Sequence, residues 1–289
     1  MKRLYLVTGF LGAGKTTFLK EMVQVFREDK IAIIVNEFGA EGVDGQVLRE
    51  QGIESYEITN GSIFCVCRKD MFMDALNLVN KENVDIIIVE TSGLSDPMTV
   101  DEILNYMESV YGDSFDFCGL ISMIDAKNFL KVLNTAVVVE NQVKSADLFI
   151  INKCDLVDDL SQIKKELLLR NQEAKLIETT YGKIEAYEVQ NLTHKARELQ
   201  THKKDLILQK KYFEFERIIS LVEFKEWLGS FKDLAYRVKG FIHTEEGTFN
   251  LECVMGDYEL KPCTNHSGKS FVVVLYHANQ LKGNEIGLL

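Results

Sequence analysis

Gly9-Phe10-Leu11-Gly12-Ala13-Gly14-Lys15-Thr16 is the stretch on which the reading of this chain turns. It fits the pattern GxxxxGK[ST], with the short apolar run Leu4–Val7 before it and the amphipathic stretch Lys15–Arg27 after it. A strand entering and a helix leaving is the context that makes this pattern a phosphate-binding loop. The chemistry explains the residue types. Gly9, Gly12 and Gly14 let the main chain wrap closely around phosphate oxygens, so that amide N–H groups and a helix N-terminus face the negative charge. Lys15 is placed to reach the β- and γ-phosphates, and the Thr16 hydroxyl suits Mg²⁺, which prefers oxygen ligands. Ala13 and Thr17 complete the expected nucleotide-binding stretch.

Outward from this loop, short β-branched runs alternate with amphipathic stretches up to about residue 185. That alternation predicts an α/β fold of the P-loop NTPase kind, a mostly parallel sheet with helices on its faces. The expected strands are Leu4–Val7, Ile31–Val35, Asp85–Val89, Gly119–Ile124 and Leu148–Ile151, whose near-continuous apolar character suits burial on both faces. The expected helices are Lys15–Arg27, Lys69–Asn80, Pro97–Glu108 and Leu160–Arg170. Residues 186–211 are rich in Lys, Glu and Gln and read as an exposed helix and connector. From 212 to 289 the texture changes to a smaller α+β domain: a strand at Tyr212–Ile218, a helix at Leu221–Phe231, then strands at Tyr236–His243, Thr248–Met255, Tyr258–Pro262 and Phe271–Tyr276. Glu246-Gly247 and Gly256-Asp257 mark turns between three of them.

A second motif lies at the end of a late strand, Asn152-Lys153-Cys154-Asp155, where open α/β sheets place ligand loops. Guanine offers N1–H and N2–H₂ as adjacent donors, and the two oxygens of Asp155 can accept from both. Adenine would set an acceptor against that carboxylate, and an unpaired polar group in a site is what gives strong discrimination. Lys153 is expected along the base and Asn152 as a tie between loops. GTP is therefore favoured over ATP, which also argues against a small-molecule kinase. Two further strand ends carry Asn36-Glu37-Phe38-Gly39 and Glu90-Thr91-Ser92-Gly93-Leu94-Ser95-Asp96-Pro97. Glu90 stands where an acid would hold Mg²⁺ through water, and Gly93 is free to turn its N–H to a γ-phosphate. Lys15, Thr16 and Glu90 are the expected catalytic groups.

The set Gly9–Thr17, Asn36–Gly39, Asn60-Gly61, Glu90–Pro97 and Asn152–Asp155 resembles the CobW-type GTPases, relatives of the HypB and UreG accessory proteins that deliver nickel to hydrogenase and urease. Tyr236-Arg237-Val238-Lys239-Gly240 is similar to the start of that family's C-terminal domain. The resemblance implies a GTP- and Mg²⁺-dependent metallochaperone, a slow GTPase whose nucleotide state governs release of a metal to a client metalloprotein. It also implies that Thr179 and Thr180 lie in a second loop beside the guanine.

The family's metal motif is Asn-Gly-Cys-x-Cys-Cys followed by Arg and Asp; this chain has Asn60-Gly61-Ser62-Ile63-Phe64-Cys65-Val66-Cys67-Arg68-Lys69-Asp70. Ser62 and Phe64 take two thiolate positions, Cys65 matches, and Cys67 is additional. One reading is a low-coordination site for Zn²⁺ or another transition metal, held by Cys65, Cys67 and Glu37, with Glu41 a further candidate. The other is a segment that has lost its metal, leaving a GTP-gated protein chaperone. Cys253, Cys263 and His266 could cluster in the tail, although scattered core positions explain them as well.

Charge and composition narrow the field. With 44 acidic against 33 basic residues the net charge is −11, which disfavours a broad nucleic-acid surface. No stretch is long and apolar enough to span a membrane. The first apolar run passes at once into the glycine loop, unlike a cleaved leader, so reduced thiols and a cytoplasmic location are expected. Nothing in the sequence fixes the oligomeric state; a nucleotide-dependent homodimer is compatible with it.

Overall fold

The computed structural model describes residues 1–37, 54–59, 69–133, 136–195, 208–215, 217–263 and 268–277. The chain folds as two compact units, Met1–Lys204 and Asp205–Leu289.

In the first unit seven strands, β1 (Lys2–Gly9), β2 (Ile31–Glu37), β3 (Glu54–Thr59), β4 (Ile86–Glu90), β5 (Phe115–Asp125), β6 (Leu148–Asn152) and β7 (Lys175–Glu178), form one sheet in the order β3-β2-β4-β1-β5-β6-β7. Every pairing in it is parallel. The helices are α1 (Lys15–Val25), α2 (Lys69–Lys81), α3 (Val100–Tyr111), α4 (Phe129–Leu133), α5 (Val137–Ser145), α6 (Ser161–Arg170) and α7 (Ala186–Gln190). All five residues of β4 and of β6 are buried, as two helix-covered faces require. On one face Phe18, Leu19 and Met22 of α1 pack on Tyr5, Ile33 and Met123. β1 lies between β4 and β5, where the chain reverses its direction of travel across the sheet, so the loop after β1 is flanked by the carboxyl ends of both neighbours. Open α/β sheets bind ligands at such a switch point.

Two strands escaped the sequence reading, β3 and β7, and both are sheet edges with polar residues interleaved. The expected helix at Pro97 begins as a 3₁₀ turn, Pro97–Thr99, capped by Asp96, whose carboxylate accepts from the Met98 amide. Residues 186–195, read from composition as exposed helix and connector, instead belong to the first unit's core: Val189 and Leu192 are buried in it. The charged outer side of this short helix concealed that.

The second unit has β8 (Leu208–Phe215), α8 (Leu221–Gly229), β9 (Ala235–Thr244), β10 (Gly247–Val254), β11 (Asp257–Pro262) and β12 (Ser270–His277). Its sheet is antiparallel in the order β11-β10-β9-β12-β8. Burial alternates along β9, so one face of the sheet carries the core, formed with Phe224, Trp227 and Leu228 of α8. Ser220 caps α8 by accepting from the Glu223 amide. The β10–β11 turn is Met255-Gly256, both at positive φ (52° and 93°), one residue earlier than the turn signal suggested. A two-residue turn of this hand matches the twist of the strands it joins.

Candidate functional site

The phosphate loop takes its shape from three glycines at φ 136° (Gly9), 75° (Gly12) and 96° (Gly14), a region that residues with a Cβ rarely enter. Two of them also sit where no side chain fits. A Cβ on Gly9 would lie 2.5 Å from the Met123 carbonyl oxygen, and one on Gly14 would collide with the Asn152 side-chain nitrogen. The Ala13 amide donates to the Phe10 carbonyl at 3.2 Å and the Phe18 amide to that of Gly14 at 2.9 Å, which closes the loop onto α1. No acidic residue occupies the first turn of α1, so its positive end is not neutralised from within. Lys15 is buried, and its ammonium donates to the Gly9 carbonyl at 2.8 Å and the Phe10 carbonyl at 3.3 Å. Thr16 is half-buried in that first turn and Thr17 exposed.

The loop after β6 meets the phosphate loop through one side chain. Asn152, 3% exposed, donates from Nδ2 to the Ala13 carbonyl at 3.0 Å. Its Oδ1 accepts from the Gly182 amide at 3.0 Å. The expected tie between loops is therefore present in atomic detail. Lys153 is left-handed (φ 63°), and its ammonium pairs with Asp125 at 2.7 Å. Asp155 follows in an exposed 3₁₀ turn, Cys154–Leu156. The Cys154 thiol donates to the Ile151 carbonyl, and burial raises its pKa, so it serves as a neutral packing group. Thr179, expected beside a base, is buried at the end of β7 and turns its hydroxyl to the Lys183 carbonyl at 2.7 Å. That turn presents the Gly182 amide to Asn152.

Glu90 ends β4, paired in register with Val7 of β1, and is buried at 8% exposure beside the phosphate loop. The hydroxyl on the first helical turn and the carboxylate at a neighbouring strand end are both oxygen donors, the ligand type that Mg²⁺ prefers. Gly93 lies against the phosphate loop: a Cβ there would stand 2.9 Å from the Leu11 nitrogen. Besides Gly182, three contributors were not singled out from sequence. Asp125 is the acid that closes β5, and besides Lys153 it accepts from the Lys127 and Asn128 amides. A carboxylate at the end of an apolar strand next to β1 was the available signal. Asn141 and Gln142 of α5 bind the 93–96 loop, and two amides amid a valine run were the signal there.

The transition-metal assignment falls largely elsewhere. Cys65 and Cys67 lie outside the described residues, as do Glu41, Ser62, Phe64 and His266, and of Glu37 the backbone at the end of β2 is described. Among the described residues no group of three or more His, Cys, Asp or Glu side chains could hold a metal. Cys253 is a core residue of the second unit, packed in its hydrophobic cluster.

Residues 3–178 match the family model described as CobW/HypB/UreG, nucleotide-binding domain. Among curated proteins, the chain is 30% identical over 185 residues to the zinc chaperone YjiA of Escherichia coli, covering 62% of this chain and 58% of that protein. It is 33% identical over 211 residues to the zinc chaperone CobW of a Sinorhizobium species (62% and 59%). It is 32% identical over 191 residues to the zinc-regulated GTPase metalloprotein activator 1 of Schizosaccharomyces pombe (62% and 46%). The chain thus spans about half the length of the curated relatives it matches. Among solved structures, the Zn(II)-bound YjiA GTPase of E. coli aligns over 99% of this chain and 96% of that one, at 22% identity and a TM-score of 0.49.

Proposed function

The chain belongs to the CobW/HypB/UreG family, and from that premise we propose that it binds and hydrolyses GTP and uses nucleotide state to hand a metal ion, with zinc the first candidate, to a client protein. The observation that supports the nucleotide half is the Asn152 side chain, which joins the phosphate loop at Ala13 to the loop at Gly182, three residues before Asp155 in the chain. A triphosphate on the first loop and a purine edge at Asp155 are then the two ends of one ligand.

In this reading the amides of residues 12–16, the α1 N-terminus and the Lys15 ammonium stabilise the charge that grows on the phosphate oxygens. Mg²⁺, held by Thr16 and through water by Glu90, neutralises charge between the β- and γ-phosphates when bound. The segments Gly9–Thr17, Glu90–Pro97 and Asn152–Asp155 contain no arginine. Intrinsic turnover is therefore slow, and a client or a second copy of the chain accelerates it. Zinc is put forward because the relatives are named for it; it is cargo, with Cys65, Cys67 and Glu37 as its candidate ligands.

Isothermal titration and phosphate release with GTP and ATP test the nucleotide half. Lys15→Ala should weaken GTP binding on the order of a hundredfold. Asp155→Asn should weaken GTP far more than ATP, because the substituted amide sets a donor against guanine's donors. Equal losses for the two nucleotides would undo the base assignment. Ser62 and Phe64 in two thiolate positions favour a second reading, a GTP-gated binding protein without metal. Zinc titration against a competing chelator, with and without GTP, separates the two: stoichiometric binding lost in Cys65→Ser supports delivery, and no binding in either state supports the second.

A further inference from the structure

Helix α5 leads along the chain into the base-reading strand, yet the polar groups on one of its faces serve a different loop. Asn141, Gln142 and Ser145 stand at positions i, i+1 and i+4, share a face, and are all buried. Gln142 donates from Nε2 to the carbonyls of Gly93 and Ser95, each at 3.2 Å. Asn141 donates to Asp96 Oδ2 at 2.8 Å, while the other oxygen of Asp96 accepts from the Met98 amide at 3.0 Å. Ser145 donates to the Met98 sulfur at 3.7 Å. All four contacts land within Gly93–Met98, which begins three residues after Glu90. Apolar side chains would fill the same space, and buried amides are retained where their hydrogen bonds specify an arrangement.

The arrangement specified is that of Gly93. Its Cα side is pressed against the Leu11 backbone of the phosphate loop, and its carbonyl is held from the opposite side by Gln142. Glycine is the residue whose backbone rotates most freely, so its N–H is held from both flanking peptides: the Ser92 carbonyl, in the same peptide plane as the Gly93 N–H, accepts from the Ser95 amide at 2.8 Å, and the Gly93 carbonyl accepts from Gln142. Three residues after the end of α5 the chain enters β6, whose last residue, Asn152, holds the Ala13 carbonyl. One continuous stretch of chain therefore grips both loops.

We propose that Gln142, assisted by Asn141, is a positioning residue for GTP hydrolysis, holding Thr91–Pro97 so that the Gly93 N–H faces the γ-phosphate end of the phosphate loop. The assignment rests on the GTPase reading above. Gln142 touches no reacting atom; it acts through Gly93.

The test uses the full chain with Gln142→Met, which keeps length and removes the donor, and Asn141→Ala, which removes a single contact and guards against a misfolded first variant. Probes are GDP, GTP and a non-hydrolysable GTP analogue. Gln142→Met should keep GDP affinity within about twofold, lose its preference for the analogue over GDP, and lower kcat on the order of tenfold at little-changed KM. Asn141→Ala should move the same quantities less. Amide exchange in residues 91–98 should quicken in both variants, with 9–17 and 148–155 unaltered. Wild-type kcat and analogue preference in Gln142→Met would overturn the assignment. So would GDP and analogue affinities that fall together with thermal stability, because that pattern marks a structural role only. Wild-type protein that turns over no GTP would sink the GTPase reading itself, whereas wild-type turnover matched by the variant sinks this assignment alone.

Discussion

Asn152 and Gly14 occupy each other's margin of tolerance. Gly14 leaves room for the Asn152 amide, and that amide in turn satisfies the Ala13 carbonyl one residue before Gly14. Gly14→Ala has two costs: a Cβ at φ 96°, and displacement of a buried side chain with two hydrogen bonds. Together they should destabilise the first unit by about 2–3 kcal/mol and reduce nucleotide affinity more than tenfold, read by urea denaturation and by titration. Gly229→Ala is the contrasting case. Gly229 ends α8 with nothing within 4 Å of its absent Cβ, so the same exchange should be neutral or stabilising by about 0.5 kcal/mol. The glycines and Lys15 were legible from sequence because their spacing along the chain is itself the site. Asp125, Gln142 and Gly182 were not, since each acts across strand ends on a residue 28 to 49 positions away.

Elements are joined in this molecule by single buried polar side chains. Asn171, immediately after α6, donates to the carbonyls of Val143 (3.0 Å), Lys144 (3.3 Å) and Ala146 (2.8 Å) at the end of α5. Its oxygen also accepts from the Glu173 and Ala174 amides. Helix C-termini leave carbonyls without partners, so Asn171→Ala should cost about 2–4 kcal/mol, measured by thermal and urea unfolding. His194 is the second joint. Its Nδ1 faces Asp147 and its Nε2 faces Asp101 of α3, each at 2.8 Å, with the Phe117 ring edge-on at 4.8 Å. Burial alone would lower its pKa, but the hydrogen bonds to Asp147 and Asp101, with their charges, outweigh burial and raise it above 6.5. A raised folded-state pKa means stabilisation fully present below about pH 6.5 and lost as pH rises through the folded value. The stability gap between wild type and His194→Asn should accordingly narrow with rising pH across that window in urea titrations; a pH-independent gap would mean the imidazole is a neutral spacer. The central strands were readable because two-sided burial writes a continuous apolar run. The edge strands β3 and β7 were not, because only the central strands are flanked by partners on both sides and the polar residues at an edge break the pattern.

At the scale of the whole chain the decisive fact is that the described residues form two compact units. The first buries apolar side chains on both faces of its parallel sheet, the α1 face among them, and the second builds its core from α8 against the antiparallel sheet. The sequence contains a single tryptophan, and Trp227 sits in the second core with the rings of Phe213, Phe215 and Phe231 at 5.4, 5.3 and 4.8 Å. Its emission therefore reports unfolding of the second unit alone. Nucleotide on the phosphate loop belongs to the first unit, and a ligand at a hundredfold its Kd stabilises what it binds by about 2.7 kcal/mol. If each core is its own cooperative body, saturating GDP should shift unfolding followed by amide exchange in β1 and β6 by that amount and leave the Trp227 transition where it was. A Trp227 transition that moves in step would mean that the two units unfold as one and that occupancy of the phosphate loop is felt throughout the chain.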